Sequence, residues 1–250
     1  MGTFRTGGEL RAALDHPVID ADGHWLEHPV VVREELQRIG GEAAVRGFMA
    51  FSERAGASLA MTVAERRREH RSQEAFWGAP TRNTLDRATA MMPSLLYRRL
   101  DELGIDFAVI YPTIGLGTTR INDDGDRRAA CRAFNVFQAE QFAPYADRMT
   151  PAAVIPMHTP DEAIAGLDHA IGELGLKAAM FGSLMMRPNP LLADIDPDLA
   201  LRFGWRDVLG LDSAFDYDPV WQHCVEIGVS PTFHSGTRRF GLRTSPSNFV

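Results

Sequence analysis

Five short apolar segments, separated from one another by turns and helix-like stretches, constrain the fold of this chain more than any other sequence feature. They are mostly continuous apolar runs, a pattern typical of parallel strands that are covered on both faces. The predicted strands span residues 18–24, 106–113, 150–157, 177–185 and 229–235. Because amphipathic segments of helical length separate them, the sequence predicts an α/β fold with right-handed βαβ units and a parallel sheet.

Helix signals lie between these strands. One predicted helix ends at Gly104, where a glycine can adopt a positive φ. Residues 127–142 repeat apolar side chains at helical spacing. Thr159 and Glu162 predict a capping box that opens the next helix, with a proline in its first turn.

Two stretches are too long for an ordinary strand-to-helix connection of about 2–6 residues. These insertions cover about residues 33–92 and 188–216. In a parallel barrel, long insertions after strands lie at the C-terminal rim, where sites are built. A basic run over residues 65–71 favours a solvated helix face, with a substrate lid or a subunit-contact element as alternatives. We predict a single domain over residues 1–250 that carries both insertions.

The composition is that of a globular protein and argues against several function classes. Of 250 residues, 45% are hydrophobic and 24% are charged, which is enough to bury a core without disulfides. A net charge of −7 argues against nucleic-acid and membrane partners, since both attract basic surfaces. Cys131 and Cys224 form no CxxC motif, so we expect buried free thiols and a cytoplasmic location.

The first predicted strand carries the residues with the clearest chemistry. Asp20, Asp22 and His24 are spaced by two, so their side chains are expected to share one face of the strand. Such a row is costly to bury unless a positive charge compensates it. Carboxylate oxygen and imidazole nitrogen are both good ligands for a divalent metal. A hydrogen-bonded polar cluster at a strand end is the alternative interpretation.

A second histidine strengthens the metal hypothesis. His234 stands at the C-terminal end of the fifth predicted strand, although a lone histidine there is often structural. The first and fifth strands of a closed eight-stranded barrel lie across from each other. We therefore expect Asp22, His24 and His234 to converge at one mouth of a barrel.

Several segments resemble the amidohydrolase-related family: IDADGHWLE, IYPT, AAVIPMHTPDEAI, LMMRPNP and FHSG. This family includes aminocarboxymuconate-semialdehyde decarboxylase and the resorcylate-type decarboxylases. The resemblance runs in the family's order from about Pro17 to Val250, apart from portions of the two insertions. DxDxHxxE followed by a strand-five histidine is its most specific motif. The resemblance implies a TIM-barrel-like (β/α)8 fold, of which about five strand–helix units are present in this chain.

The resemblance also implies a ligand set for one divalent metal, Zn or Mn. Its metal ligands map onto Asp22, His24 and His234. The family's last ligand, an acid–base aspartate at the end of strand eight, and its strand-six histidine have no counterpart in this sequence. We therefore identify no catalytic residue and expect the barrel to be incomplete at its C-terminus. Lys177 begins the fourth strand at the wrong end to bridge two metals.

Six further residues near strand ends are candidate substrate-binding residues: Arg187, His158, Thr113, Trp25, Glu27 and Arg238. Arg187 is expected to grip a substrate carboxylate, or else to pair with Asp194 or Asp196. His158 precedes a helix, so a capping or surface position is the alternative to a site role.

The remaining candidates lie beside the two predicted histidine ligands. Thr113 and Trp25 are expected to line the pocket. Glu27 is expected to hold a ligand or to cap the following turn. Arg238 is expected to attract an anionic substrate together with neighbouring arginines, with a solvated loop as the alternative.

The resemblance favours a metal-dependent non-oxidative decarboxylase of a small aromatic or unsaturated carboxylic acid. A metal-dependent hydrolase of an amide, ester or lactone is the alternative, and a non-catalytic barrel fragment or binding module is a third. A nucleotide-binding doubly wound sheet is less well supported, because no glycine-rich phosphate loop follows the first strand. We expect a small-molecule substrate and assembly as a homodimer or homotetramer.

Overall fold

The computed structural model describes residues 5–69, 82–210 and 212–234. The strands are β1 (Ile19–Trp25), β2 (Phe107–Pro112), β3 (Met149–Ile155), β4 (Ala178–Gly182), β5 (Met185–Arg187), β6 (Trp205–Asp207) and β7 (Pro231–His234). The α-helices are α1 (Gly7–Ala12), α2 (Pro29–Ala60), α3 (Val63–Arg68), α4 (Thr84–Met91), α5 (Pro93–Leu103), α6 (Asp124–Phe142), α7 (Pro160–Leu167), α8 (Pro197–Arg202) and α9 (Asp218–Glu226).

Five of these strands form one parallel sheet in the order β1-β2-β3-β4-β7. They correspond to the five predicted strands, so the predicted α/β class and parallel pairing are confirmed. β1 and β7 are the edge strands of this sheet, yet His24 of β1 contacts His234 of β7. The sheet is therefore strongly curled. The architecture is that of a partial (β/α)8 barrel.

The continuous apolar character of the strands follows from burial on both faces. Every residue of β3 is buried. Ala152 and Val154 belong to one hydrophobic cluster, whereas Ala153 and Ile155 belong to the other. A strand with no face in water has no reason to alternate polar and apolar residues.

The helices end largely as the sequence predicts. Gly104 closes α5 with a φ of 77°. The hydroxyl of Thr159 accepts the backbone N–H of Glu162 at 3.2 Å and so caps α7. A full capping box would also have the Glu162 carboxylate accept the backbone N–H of Thr159. Here that carboxylate accepts two hydrogen bonds from the Arg127 guanidinium instead, at 2.8 and 2.9 Å. A buried arginine competes better for that carboxylate than a helix N–H does.

Both insertions contain regular structure. Residues 33–92 hold most of α2 together with α3 and α4, and α2 packs against α6. The basic run falls partly on α3, and its last two residues lie outside the described ranges. The predicted fourth strand was too long, since β4 ends at Gly182 and Met185 begins a separate antiparallel pair, β5 with β6.

The two cysteines and the lengths of the helices complete the description. Cys131 and Cys224 are buried free thiols on helices, as expected. Across residues 5–69, 82–210 and 212–234, no helix is both long and apolar enough to cross a membrane.

Candidate metal centre

Three side chains from the two edges of the curled sheet converge at its carboxyl end. The Nε2 atoms of His24 and His234 lie 3.1 Å apart. The Asp22 carboxylate lies 3.9 Å from Nε2 of His24 and 3.5 Å from Nε2 of His234. One ligand atom from each residue lies within 4.8 Å of the others, so the three could hold a metal ion. The structure thus brings together the three residues that the sequence singled out.

The distances and the donor chemistry fit a single divalent cation. Two imidazole nitrogens bound to one tetrahedral zinc at about 2.0–2.1 Å lie about 3.3 Å apart, close to the separation seen here. Burial and the neighbouring His234 lower the pKa of His24, outweighing the opposite effect of Asp22 and Asp20. A lowered pKa keeps the imidazole neutral, which is the form that binds metals.

Asp20 does not join this cluster, which corrects the expectation of three side chains on one face. In β1, Asp20 pairs with Ala108 and Gly23 with Ile110, so β1 has one extra residue between them. A bulge of this kind shifts the alternation of side chains along the strand. The Asp20 carboxylate instead accepts the backbone N–H of Asp22 at 3.1 Å.

Two residues of the β2 end support the histidines. Thr113 Oγ1 lies 3.2 Å from Nδ1 of His24, so the candidate Thr113 faces the cluster. The Tyr111 ring lies 6.1 Å from the His24 ring and 5.2 Å from the His234 ring, measured between centroids. Sequence reasoning missed Tyr111, although it belongs to the IYPT segment and is paired with His24 across the strands.

Glu27 lies beneath the loop that follows β2 rather than in a pocket. Its carboxylate is 1% exposed and accepts the backbone N–H groups of Thr113 at 3.1 Å, Ile114 at 2.9 Å and Gly115 at 2.9 Å. Burial raises the pKa of Glu27, and these N–H donors offset part of the effect. The turn expected to be capped was the one that follows Glu27 in the sequence, so that prediction is wrong, because Glu27 holds the loop after β2 instead.

Trp25 lies in the hydrophobic core rather than in the pocket wall, which corrects that expectation. Its ring packs against Phe137 and Phe142 of α6 at centroid distances of 5.3 and 5.4 Å. Its indole N–H donates to the carbonyl of Met91 at 3.0 Å. Adjacent residues on a strand face opposite sides, so Trp25 faces away from the side on which His24 lies.

Arg187, the last residue of β5, is held by three partners from other parts of the chain. Its guanidinium donates to Asp207 at 2.9 Å, to the carbonyl of His158 at 2.7 Å and to the Tyr217 hydroxyl at 2.9 Å. Its ion-pair partner is therefore Asp207, not Asp194 or Asp196. Sequence reasoning missed Asp207 because nothing local in the sequence marks a partner 20 positions away.

His158 lies in the turn after β3, next to this arginine. Burial, together with Arg127 and Arg187, lowers the pKa of its imidazole to about 3. Within the part of the chain that the structure describes, its Nδ1 has no hydrogen-bond partner. The helix cap is Thr159, so the expected capping alternative for His158 is wrong.

Two other predictions concern Arg238 and Lys177. Arg238 lies outside the described residues. Lys177 precedes β4 at its amino end and donates to the carbonyl of Ala146 at 3.4 Å. In a parallel sheet the amino ends of all strands lie at one end and the carboxyl ends at the other. Lys177 is therefore at the opposite end of the strands from the cluster, as expected.

Comparison with known proteins gives structural neighbours only. No family model matches the chain, and no curated protein matches it. A 5-carboxyvanillate decarboxylase from Novosphingobium aromaticivorans, solved with manganese and 3-methoxy-4-hydroxy-5-nitrobenzoic acid, aligns with a TM-score of 0.52 at 17% identity. The alignment covers 93% of this chain and 53% of that one.

A dihydroxybenzoic acid decarboxylase from Polaromonas sp. JS666, solved with manganese and 2-nitroresorcinol, aligns with a TM-score of 0.53 at 18% identity. This alignment covers 88% of the present chain and 49% of the neighbour. The chain thus spans about half the length of both structures. Over that length it shares their fold, and the described part is a partial (β/α)8 barrel.

Proposed function

We propose that this chain binds one divalent metal, Mn or Zn, through Asp22, His24 and His234 and acts as a metal-dependent non-oxidative decarboxylase. The substrate class is a small aromatic or unsaturated carboxylic acid. The observation that carries the proposal is the meeting of His24 and His234, 210 positions apart, at 3.1 Å beside the Asp22 carboxylate. Support also comes from the fold shared with two decarboxylases that were solved with manganese.

The chain's own residues have distinct parts in this proposal. His24 and His234 hold the cation by their Nε2 atoms, and Asp22 holds it by a carboxylate oxygen. When bound, the metal supplies Lewis-acid chemistry that orients a substrate carboxylate and a neighbouring hydroxyl. The Tyr111 ring lies against both imidazoles and limits the orientations they can adopt.

Metal titration of the purified chain tests the first half of the proposal. Isothermal titration with Mn²⁺ and Zn²⁺ should give one site per chain, and Asp22→Ala or His234→Ala should abolish it. His223→Ala is the matched control, because His223 also lies beside two carboxylates, Asp168 at 2.7 Å and Glu226 at 3.8 Å. The control should bind metal as the wild type does. A wild-type chain that binds neither cation contradicts the proposal.

Product analysis tests the second half. The metal-loaded chain is incubated with hydroxybenzoates and with muconate-type acids, and released carbon dioxide is measured. Carbon dioxide formation that disappears in His234→Ala supports the decarboxylase. Hydrolysis of amide, ester or lactone substrates without carbon dioxide favours the hydrolase instead.

A non-catalytic barrel fragment or binding module is the remaining candidate. Metal binding without turnover of any of these substrates would support this reading.

The proposal extends to assembly and location. Cys131 and Cys224 are buried and unpaired, which suits the reducing cytoplasm. We propose a cytoplasmic homodimer or homotetramer that acts on a small molecule, and light scattering coupled to gel filtration measures the assembly.

A further inference from the structure

The Glu27 carboxylate accepts three backbone N–H groups of the loop that follows β2. Oε2 accepts the N–H groups of Thr113 and Ile114, at 3.1 and 2.9 Å, and Oε1 accepts that of Gly115 at 2.9 Å. Three donors from successive residues fix the position of that loop relative to the end of β1. Hydrogen bonds to an ionised carboxylate are stronger than those between neutral groups, so Glu27 is a firm anchor for the loop.

The same loop is restrained from its other side by packing. A Cβ atom at Gly115 would lie 2.2 Å from the ring of Phe134, so only glycine allows the loop to approach α6 this closely. Phe134 is itself fully buried. The backbone N–H of Thr113 also lies 3.1 Å from the carbonyl of Trp25, which ties the loop to β1 directly.

The restrained loop places the Thr113 side chain beside the candidate metal centre. Thr113 Oγ1 lies 3.2 Å from Nδ1 of His24. If Nδ1 carries the proton and donates to this hydroxyl, Nε2 keeps a free lone pair. Nε2 is the atom that faces His234 at 3.1 Å and the Asp22 carboxylate at 3.9 Å. Histidines that bind metals commonly donate their other ring N–H in this way, which fixes both the tautomer and the ring orientation.

We propose that Glu27 is a positioning residue for the metal centre and acts through Thr113. Its carboxylate holds the loop, the loop places the Thr113 hydroxyl, and the hydroxyl keeps His24 in the tautomer whose Nε2 can bind a cation. Glu27 touches neither substrate nor metal. This inference rests on the proposed function, since it assigns a role within the same site.

Four single variants, together with one double variant, test this relay from Glu27 through Thr113 to His24. Thr113→Val removes the hydroxyl and keeps the shape, Thr113→Ser restores the hydroxyl, and Glu27→Gln removes the anchoring charge. Thr232→Val is the matched control, because it removes a threonine hydroxyl of β7 that donates to the carbonyl of Ala179 at 2.9 Å. Two quantities are measured for each: Mn²⁺ affinity by titration, and the His24 tautomer in metal-free protein by ¹⁵N-detected NMR.

The relay predicts about 10–100-fold weaker Mn²⁺ binding for Thr113→Val and for Glu27→Gln. In both variants the Nδ1-protonated form of His24 should decrease, whereas Thr113→Ser and Thr232→Val should match the wild type. Glu27 and Thr113 both act through the one Thr113 hydroxyl. The Glu27→Gln/Thr113→Val double variant should therefore bind Mn²⁺ no more weakly than the single variant that has the lower Mn²⁺ affinity.

Wild-type affinity and tautomer in Thr113→Val, or additive losses in the double variant, overturn the inference. If Glu27→Gln does not fold, the comparison of Thr113→Val with Thr113→Ser decides whether the hydroxyl sets the tautomer. Failure of the proposed function is a separate result. If the wild type binds no metal, the proposed function is refuted, and the tautomer in metal-free protein alone decides the relay.

Discussion

Asp207 links the second insertion to the rim of the sheet, and replacing it by asparagine is the sharpest test of that packing. The side chain is 0% exposed and accepts three hydrogen bonds at 2.9 Å, from Arg187, from the backbone N–H of Leu209 and from the Ser213 hydroxyl. Arg187 also bonds the Tyr217 hydroxyl at 2.9 Å, and that hydroxyl donates to the carbonyl of Met157 at 2.7 Å. The network thus joins β5 and β6 to the turn after β3.

Asp207→Asn keeps the size of the side chain and removes its charge. Breaking a buried ion pair by changing one partner costs about 3–5 kcal/mol, because the other charge is left without compensation. Arg187 retains two neutral acceptors and lies 5.0 Å from the centroid of the Phe215 ring, which lessens the loss. We therefore expect the lower end, a decrease of about 3 kcal/mol in the free energy of unfolding.

Urea unfolding followed by tryptophan fluorescence measures this change. With an m-value of about 3 kcal/mol/M, the midpoint of the variant should fall by about 1 M. Asp194→Asn is the matched control, because Asp194 is an exposed aspartate of the same insertion. The control should stay within about 0.5 kcal/mol of the wild type. Equal midpoints for the two variants would refute the assignment of Asp207 as the partner of Arg187.

Three further predictions concern Asp207, Gly115 and Cys131. Burial alone would raise the pKa of Asp207, but its three hydrogen-bond donors lower the pKa overall. The contribution of Asp207 to the free energy of unfolding is therefore present above the unfolded pKa of about 3.9 and is lost as pH falls through the folded pKa. The difference in urea midpoint between the wild type and Asp207→Asn should accordingly shrink below about pH 4. Gly115→Ala places a Cβ against the Phe134 ring and should lower the free energy of unfolding in urea by about 1–3 kcal/mol, and Phe134→Leu in the same chain should restore part of it. An unchanged free energy of unfolding in Gly115→Ala would contradict the close approach. Burial raises the pKa of Cys131 to about 12, so this thiol should react with a disulfide reagent only after unfolding, and rapid labelling of the native protein would contradict its burial.

The parallel sheet could be predicted from the sequence because its cause is local. Strands buried on both faces need continuous apolar runs, and β3 shows this directly, with Ala153 and Val154 contributing to different hydrophobic clusters. The position of His234 at a strand end can be read from the same periodicity. Its meeting with His24 could be predicted only with the further assumption of a closed eight-stranded barrel, in which the first and fifth strands lie across from each other.

The details that could not be predicted depend on tertiary contacts. The bulge after Asp20 follows from pairing with β2, and the strict alternation assumed for β1 gave no sign of it. Trp25 was placed at the rim because it follows His24, yet it packs against α6. Glu27 and Asp207 find partners 86 and 20 positions away in the chain, distances over which a single sequence carries no pairing signal.

Locating a bound metal by anomalous X-ray diffraction tests the central claim most directly. Crystals of the chain grown with Mn²⁺ or Zn²⁺ should show one anomalous peak bonded to Nε2 of His24, Nε2 of His234 and a carboxylate oxygen of Asp22, with zinc–ligand distances of about 2.0–2.2 Å. A peak at another position, such as the His223 and Asp168 pair, or no peak at a saturating metal concentration, would contradict the claim that these three residues form a metal centre.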